Sequence, residues 1–137
     1  MKFLLDSAAL LALYDRGDKY HVRAKRAFQA LAEVKVTFVV TDYLVAEATT
    51  LILGRAGHTQ AVACGDWLLG SPRVRLLRID TELWVEAWQL FKKYDDKEFS
   101  FVDCASFVVM RREHLIDAFT FDRHFEQMGF RLWPGLK

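Results

Sequence analysis

Asp103 lies inside an apolar run, FSFVDCASFVVMRR at positions 99 to 112, where a carboxylate is costly. Ser100, three residues before it, opens a stretch that reads as a helix apolar on all sides, and such a helix is normally buried. A buried ionised carboxylate needs an opposite charge, several hydrogen-bond donors or a metal ion. The same pair also has the spacing of a capping box, in which the acid only satisfies a backbone donor. Three more acids follow hydrophobic runs. Asp6 comes directly after KFLL at 2 to 5, Asp122 just past LIDAFT at 115 to 120, and Glu47 about two turns into the helix after VTFVV at 36 to 40. Each has an ordinary explanation as well. Asp6 and Asp122 suit helix N-caps, and Glu47 shares a helix face with Tyr43 and Thr50, where it would face solvent or accept a hydrogen bond.

The elements around these acids decide whether they meet. KFLL reads as a first strand, with AALLALY continuing at helical spacing until Asp15, Arg16, Gly17 and Asp18 break it. Val22, Ala24, Ala27, Phe28 and Leu31 then mark one face of a second helix, whose Arg23, Lys25 and Arg26 form a solvated face. VTFVV is a buried strand, and Thr41 or Asp42 caps a third helix running to about Leu53, with Gly54 and Gly57 at its end. A fourth helix over 59 to 69 closes at Gly70-Ser71-Pro72, and VRLLRI at 74 to 79 is the third strand. Asp80 or Thr81 caps a fifth helix with Leu83, Trp84, Ala87, Leu90 and Phe91 at core spacing. The loop YDDKE precedes the helix of Asp103; LIDAFT is a fourth strand, Phe121 to Met128 a short helix, and Phe130 to Trp133 a fifth strand. Apolar strands alternating with helices indicate an α/β domain, a mainly parallel central sheet of four or five strands with helices on both faces. Ligands of such sheets bind outside the carboxyl ends of the strands, where strand order reverses. Asp6, Asp103 and Asp122 each start a helix on that edge, and Glu47 projects from a neighbouring one.

Four carboxylates in one cleft repel, since two unit charges 4 Å apart cost about 4 kcal/mol at an effective dielectric near 20. A divalent cation relieves that repulsion, and oxygen ligands suit Mg2+ or Mn2+. Zinc is disfavoured, because His21, His58, His114 and His124 show no paired ligand spacing with each other or with the cysteines. The totals add little direction. With 137 residues the chain fits one domain, and 19 basic against 18 acidic residues leave a formal charge of +1, too little for a global field drawing in nucleic acid or membrane. Apolar residues make up 53% of the chain, which suits a globular core. Cys64 and Cys104 read as reduced thiols in helices, which suits a cytoplasmic protein. The opening apolar run is interrupted by Asp6 and lacks a small-residue cleavage site, and nothing approaches the ~18 uncharged residues of a membrane span.

The segments LLDSAALLALYDRGD, TDYLVAEA, SFVDCASFVVMRR and DAFTFDRHFEQMGFRL resemble the PIN-domain ribonucleases, especially the VapC-type toxins of toxin-antitoxin pairs, over essentially the whole chain. Residues 1–137 are then one PIN-like nuclease domain. The resemblance implies cleavage of RNA phosphodiesters by Mg2+ or Mn2+ held mainly by Asp6 and Asp103. Glu47 and Asp122 complete the quartet, and Thr120 or Ser7 supplies a nearby hydroxyl. It implies an RNA substrate, a cognate antitoxin and a homodimer. Arg111, Arg112 and Arg123 are candidates for RNA phosphate contacts, although Arg111 and Arg112 better suit the carboxyl end of a helix. Phe125 reads as core and His124 as exposed. Two other classes compete: a PIN-like RNA- or protein-binding module without catalysis, and a magnesium-binding receiver domain. The receiver wants adjacent carboxylates after the first strand, where this chain has Asp6-Ser7. Neither GxGxxG nor GxxxxGK is present, so dinucleotide and nucleoside-triphosphate binding have no support in the sequence.

Overall fold

The computed structural model describes residues 1–135; residues 136 and 137 of the expected domain lie outside the described ones. In chain order the elements are β1 (Lys2–Leu5), α1 (Ser7–Tyr14), α2 (His21–Ala30), β2 (Thr37–Thr41), α3 (Asp42–Ala56), α4 (His58–Gly70), β3 (Val74–Leu77), α5 (Thr81–Lys93), α6 (Phe101–Arg112), β4 (Asp117–Thr120), α7 (Arg123–Gln127) and β5 (Arg131–Pro134). The five strands form one sheet in the order β3-β2-β1-β4-β5, and every pairing is parallel. From β1 the chain first builds outward through β2 and β3, then returns to place β4 on the other side. Strand order therefore reverses between β1 and β4.

Consecutive residues Phe3, Leu4 and Leu5 are all buried, as are Phe38, Val39 and Val40. Since neighbouring side chains on a strand point to opposite faces, both faces of the central strands are covered. An aromatic layer fills one of them: Phe3 lies 6.4 Å from both Phe38 and Phe119, and Phe28 of α2 and Trp67 of α4 meet over Phe38.

Several boundaries and faces differ from the sequence expectation. Helix α3 runs through Gly54 and stops only at Gly57, whose φ of 95° continues no helix. Strand β3 ends at Leu77, because the backbone N–H of Ile79 turns to Asp42 Oδ1 at 3.0 Å. Helix α7 begins at Arg123, since Asp122 caps it, and β4 begins only at Asp117. Val22 is exposed: at 100° per residue it stands about 200° from Ala24, on the opposite face from Ala27, Phe28 and Leu31. On α5 the buried stripe is Leu83, Ala87 and Leu90, while Trp84 and Phe91 are about 40% exposed with Trp88 between them. These three rings lie against Phe101, at 5.4, 5.9 and 6.3 Å for Trp84, Trp88 and Phe91.

Candidate metal centre

The register between β1 and β4 builds the first half of the site. Leu5 pairs with Phe119, and the backbone N–H of Asp6 bonds Phe119 O at 3.1 Å, so Asp6 and Thr120 face each other at the carboxyl edge. Asp6 occupies the N-cap position of α1 yet makes no capping hydrogen bond. Its Oδ2 instead accepts from Thr120 Oγ1 at 2.7 Å, and that oxygen in turn accepts the backbone N–H of Asp122 at 3.0 Å. Thr120 thus ties Asp6 to Asp122 at the point of strand reversal. Asp6 and Thr120 are both buried.

Helices α3 and α6 supply the other acids. Ser7, first residue of α1, donates its hydroxyl to Glu47 Oε1. Asp103 closes a capping box with Ser100: the backbone N–H of Asp103 bonds Ser100 Oγ and the backbone N–H of Ser100 bonds Asp103 Oδ2, both at 3.0 Å. The two explanations for Asp103 coexist, since it caps the helix and faces the other acids. Asp122 also caps, accepting the backbone N–H of His124 at 2.9 Å. Of the three proposed caps, only Asp6 serves no helix.

Electrostatics follow from the crowding. Burial pushes the Asp6 carboxyl up from 3.8 to about 7, with the Thr120 hydrogen bond opposing and the charges of Asp103, Asp122 and Glu47 adding to it. Glu47 is raised chiefly by burial, against the Ser7 bond, with Asp103 and Asp122 reinforcing. Asp103 is likewise raised by burial and by Asp122, while its bonds to Ser100 and His124 pull the other way. Among the described residues no lysine or arginine forms an ion pair with any of the four acids; His124 is the basic side chain that reaches them, with Nδ1 at 3.0 Å from Asp103 Oδ2 and 3.3 Å from Asp122 Oδ1. His124 was expected at the surface; its side chain is 25% exposed and turned into the cluster. The position is legible only once α7 is known to start at Arg123, which puts His124 in the turn that Asp122 caps. A mutually repelling set of carboxylates, Asp6 and Asp103 buried and Glu47 and Asp122 partly exposed, with hydroxyl-anchored oxygens on Asp6 and Glu47, fits a hard divalent cation. A ligand atom of each of Asp103, Asp122 and His124 lies within 4.8 Å of the other two, while Asp6 and Glu47 stand outside that group and act on it through their charge.

Beside Asp122 and His124 opens a groove of about 670 Å³ whose lining includes Lys19, Tyr20, Arg55, Phe121 and Arg123. Tyr20 stacks on the buried Phe121 at 4.5 Å and an interplanar angle of 3°. Sequence patterning missed Lys19, Tyr20 and Arg55, because they come from a loop and from the far end of α3, brought here by tertiary packing. Arg123 is at the groove. Arg111 and Arg112 are not: they end α6, nine residues and about 14 Å of helix beyond Asp103, and Arg112 bonds Glu86 at 2.6 Å. Cys64 and Cys104 are free and buried, and burial pushes their thiols up to about 12 and about 11. Among the described residues, no helix is long and apolar enough to cross a membrane.

A parallel sheet in this order with acids at its reversal point defines a fold class, and comparison with known proteins identifies it: the chain belongs to the PIN-domain family, whose profile matches residues 3–131. The receiver-domain alternative is thereby set aside. Curated relatives include the 23S rRNA-specific endonuclease VapC20 of Mycobacterium tuberculosis, found in two strains, 35% identical over 126 residues that cover 92% of this chain and 93% of the relative. The crystal structure of VapC20, described as a Sarcin-Ricin loop cleaving toxin, superposes with a TM-score of 0.86 at 32% identity, covering 95% of this chain and 96% of that one. Rickettsia felis VapBC2 bound to a promoter DNA fragment (TM-score 0.69, 12% identity, 96% and 97% coverage) and Neisseria gonorrhoeae FitAcB (0.66, 18%, 96% of each) share the fold.

Proposed function

We propose that this protein is a ribonuclease that hydrolyses RNA phosphodiester bonds with Mg2+ or Mn2+. The observation that carries the reading is Asp6, a buried carboxylate that serves no helix and is held by Thr120 among three other acids. Bound there, the cation would neutralise charge developing on the scissile phosphate and lower the pKa of an attacking water. Asp6 and Asp103 hold the ion; Glu47 and Asp122 complete the set and orient water. Thr120 and Ser7 fix the carboxylate oxygens of Asp6 and Glu47 that point inward. Arg123, with Lys19 and Arg55 along the groove, holds RNA phosphates next to the cluster.

The likeness to VapC20 over nine-tenths of both chains supports a finer reading. In it the whole chain, 1–137, is one nuclease domain acting in the cytoplasm as the toxin of a toxin-antitoxin pair, as a homodimer neutralised by a cognate antitoxin, with 23S ribosomal RNA as its target. The test is to treat intact ribosomes and total RNA with purified protein and map new 5′ ends genome-wide. A single dominant cut in 23S rRNA, abolished by chelator and by Asp103→Asn, is expected. Cuts confined to transfer or messenger RNA would remove the ribosomal target, and no metal-dependent cut in any RNA would remove the ribonuclease.

A further inference from the structure

One side chain in the cluster brings a different donor chemistry. The imidazole of His124 presents Nδ1 at 3.0 Å from Asp103 Oδ2 and 3.3 Å from Asp122 Oδ1. One ligand atom from each of the three residues lies within 4.8 Å of the other two. Ligands at right angles on an ion with bonds of about 2.1 Å stand about 3 Å apart, so Nδ1 stands from each of the two oxygens at the spacing of neighbouring corners of one coordination sphere. We propose that His124 is a ligand of the cation site, supplying a nitrogen beside Asp103 and Asp122 that biases the site away from Mg2+ and toward first-row transition cations such as Mn2+. This rests on the reading of the carboxylates as a cation site.

The ring is held in that pose from two sides. It stands edge-to-face on Phe99 at 5.3 Å, and Phe99 is itself buried and wedged between Phe107 at 5.1 Å and Tyr94 at 5.6 Å. The backbone N–H of His124 bonds Asp122 Oδ1, so one turn of chain fixes the imidazole and one of its carboxylate neighbours together. The remaining histidines lie elsewhere: His21 bonds the carbonyl of Ala12 at 2.7 Å, and His58 and His114 are exposed. Imidazole nitrogen is a poor partner for Mg2+, which prefers oxygen, and a good one for transition cations. A single such donor shifts selectivity without abolishing Mg2+ binding.

Pulsed electron paramagnetic resonance of bound Mn2+ tests this directly, because a coordinated imidazole nitrogen imposes a ¹⁴N coupling that carboxylates cannot. Wild type, His124→Gln and Asp103→Asn are loaded with Mn2+ alone, and calorimetry measures Mn2+ and Mg2+ affinities of each. The inference predicts ¹⁴N coupling in the wild type and its loss in His124→Gln, with Mn2+ affinity falling about tenfold or more and Mg2+ affinity falling less. A circular-dichroism melt confirms that each variant is folded. Mn2+ bound without ¹⁴N coupling, and released by Asp103→Asn, would overturn the role of His124 while leaving the carboxylate site standing. Coupling that survives in His124→Gln would assign the nitrogen to another histidine and also overturn it. Failure of the wild type to bind Mn2+ at all would end both readings.

Discussion

Asp6 is the residue on which the proposed chemistry turns, and its titration gives a direct signature. In the unfolded chain its carboxyl titrates near 3.8, in the folded protein near 7, so the native state binds the proton more tightly. The stability this confers is fully present below about pH 4 and is lost as pH rises through about 7; Glu47 and Asp103, raised in the same direction, add to the slope. The metal-free protein should therefore melt at a lower temperature at about pH 8 than at about pH 5, with Mn2+ restoring the loss. Asp6→Asn should flatten the profile and raise the metal-free melting temperature at the higher pH. A wild-type profile that is flat over this window would show that the acids do not strain the fold. Thr120→Val tests the anchor: it strips the donor from Asp6 and orphans the Asp122 N–H, a loss of about 1 to 3 kcal/mol in a thermal melt, together with weaker cation binding by calorimetry. At this scale the sequence was ambiguous for a physical reason. Asp is at once a preferred N-cap and a metal ligand, and only the register of β1 on β4 reveals that Asp6 turns to Thr120 instead of to α1. Glu47 was weaker still as a signal, because its partner Ser7 is forty residues away.

Helix ends connect stability to the site. Ser100 and Asp80 are both working N-caps, with the backbone N–H of Asp103 on Ser100 at 3.0 Å and that of Leu83 on Asp80 at 2.9 Å. Replacing either by alanine should cost about 1 kcal/mol, seen as a fall of about 4 °C in melting temperature. Only Ser100→Ala loosens a box that holds Asp103, so it alone should also weaken Mn2+ binding. Equal effects of the two variants on Mn2+ would detach the capping box from the site. Along the groove, Arg123→Ala should raise KM for RNA several-fold with little change in kcat, and reduce the salt dependence of binding by about one counterion. A fall in kcat alone would place Arg123 at the reaction rather than on the substrate. Element types were well marked by apolar runs and caps, yet faces were misassigned where large apolar residues crowd. Of the five residues at core spacing on α5, Leu83, Ala87 and Leu90 pack inward, while Trp84 and Phe91, each one position beside that stripe, stay partly exposed.

Across the whole molecule, the alternation of buried strands and helices was enough to deduce a doubly wound parallel sheet, and the sheet's reversal point then located the acids. The groove flanked by Lys19, Tyr20, Arg55 and Arg123 was not deducible, because a near-neutral chain carries no global field and these residues become neighbours only through packing. His124 escaped for a related reason, since its neighbours Asp103 and Asp122 come from two elements and leave no spacing motif. The proposed function stands or falls on whether the four carboxylates make one cation-dependent RNA-cleaving centre. Its most direct measurement is cleavage of end-labelled ribosomal RNA by wild type and Asp6→Asn, each with Mg2+, with Mn2+ and with chelator. Discrete cutting by the wild type with either cation, none with chelator, and a loss of at least about a hundredfold in Asp6→Asn are expected. Cutting that survives chelator, or equal cutting by both proteins, would contradict the proposed function.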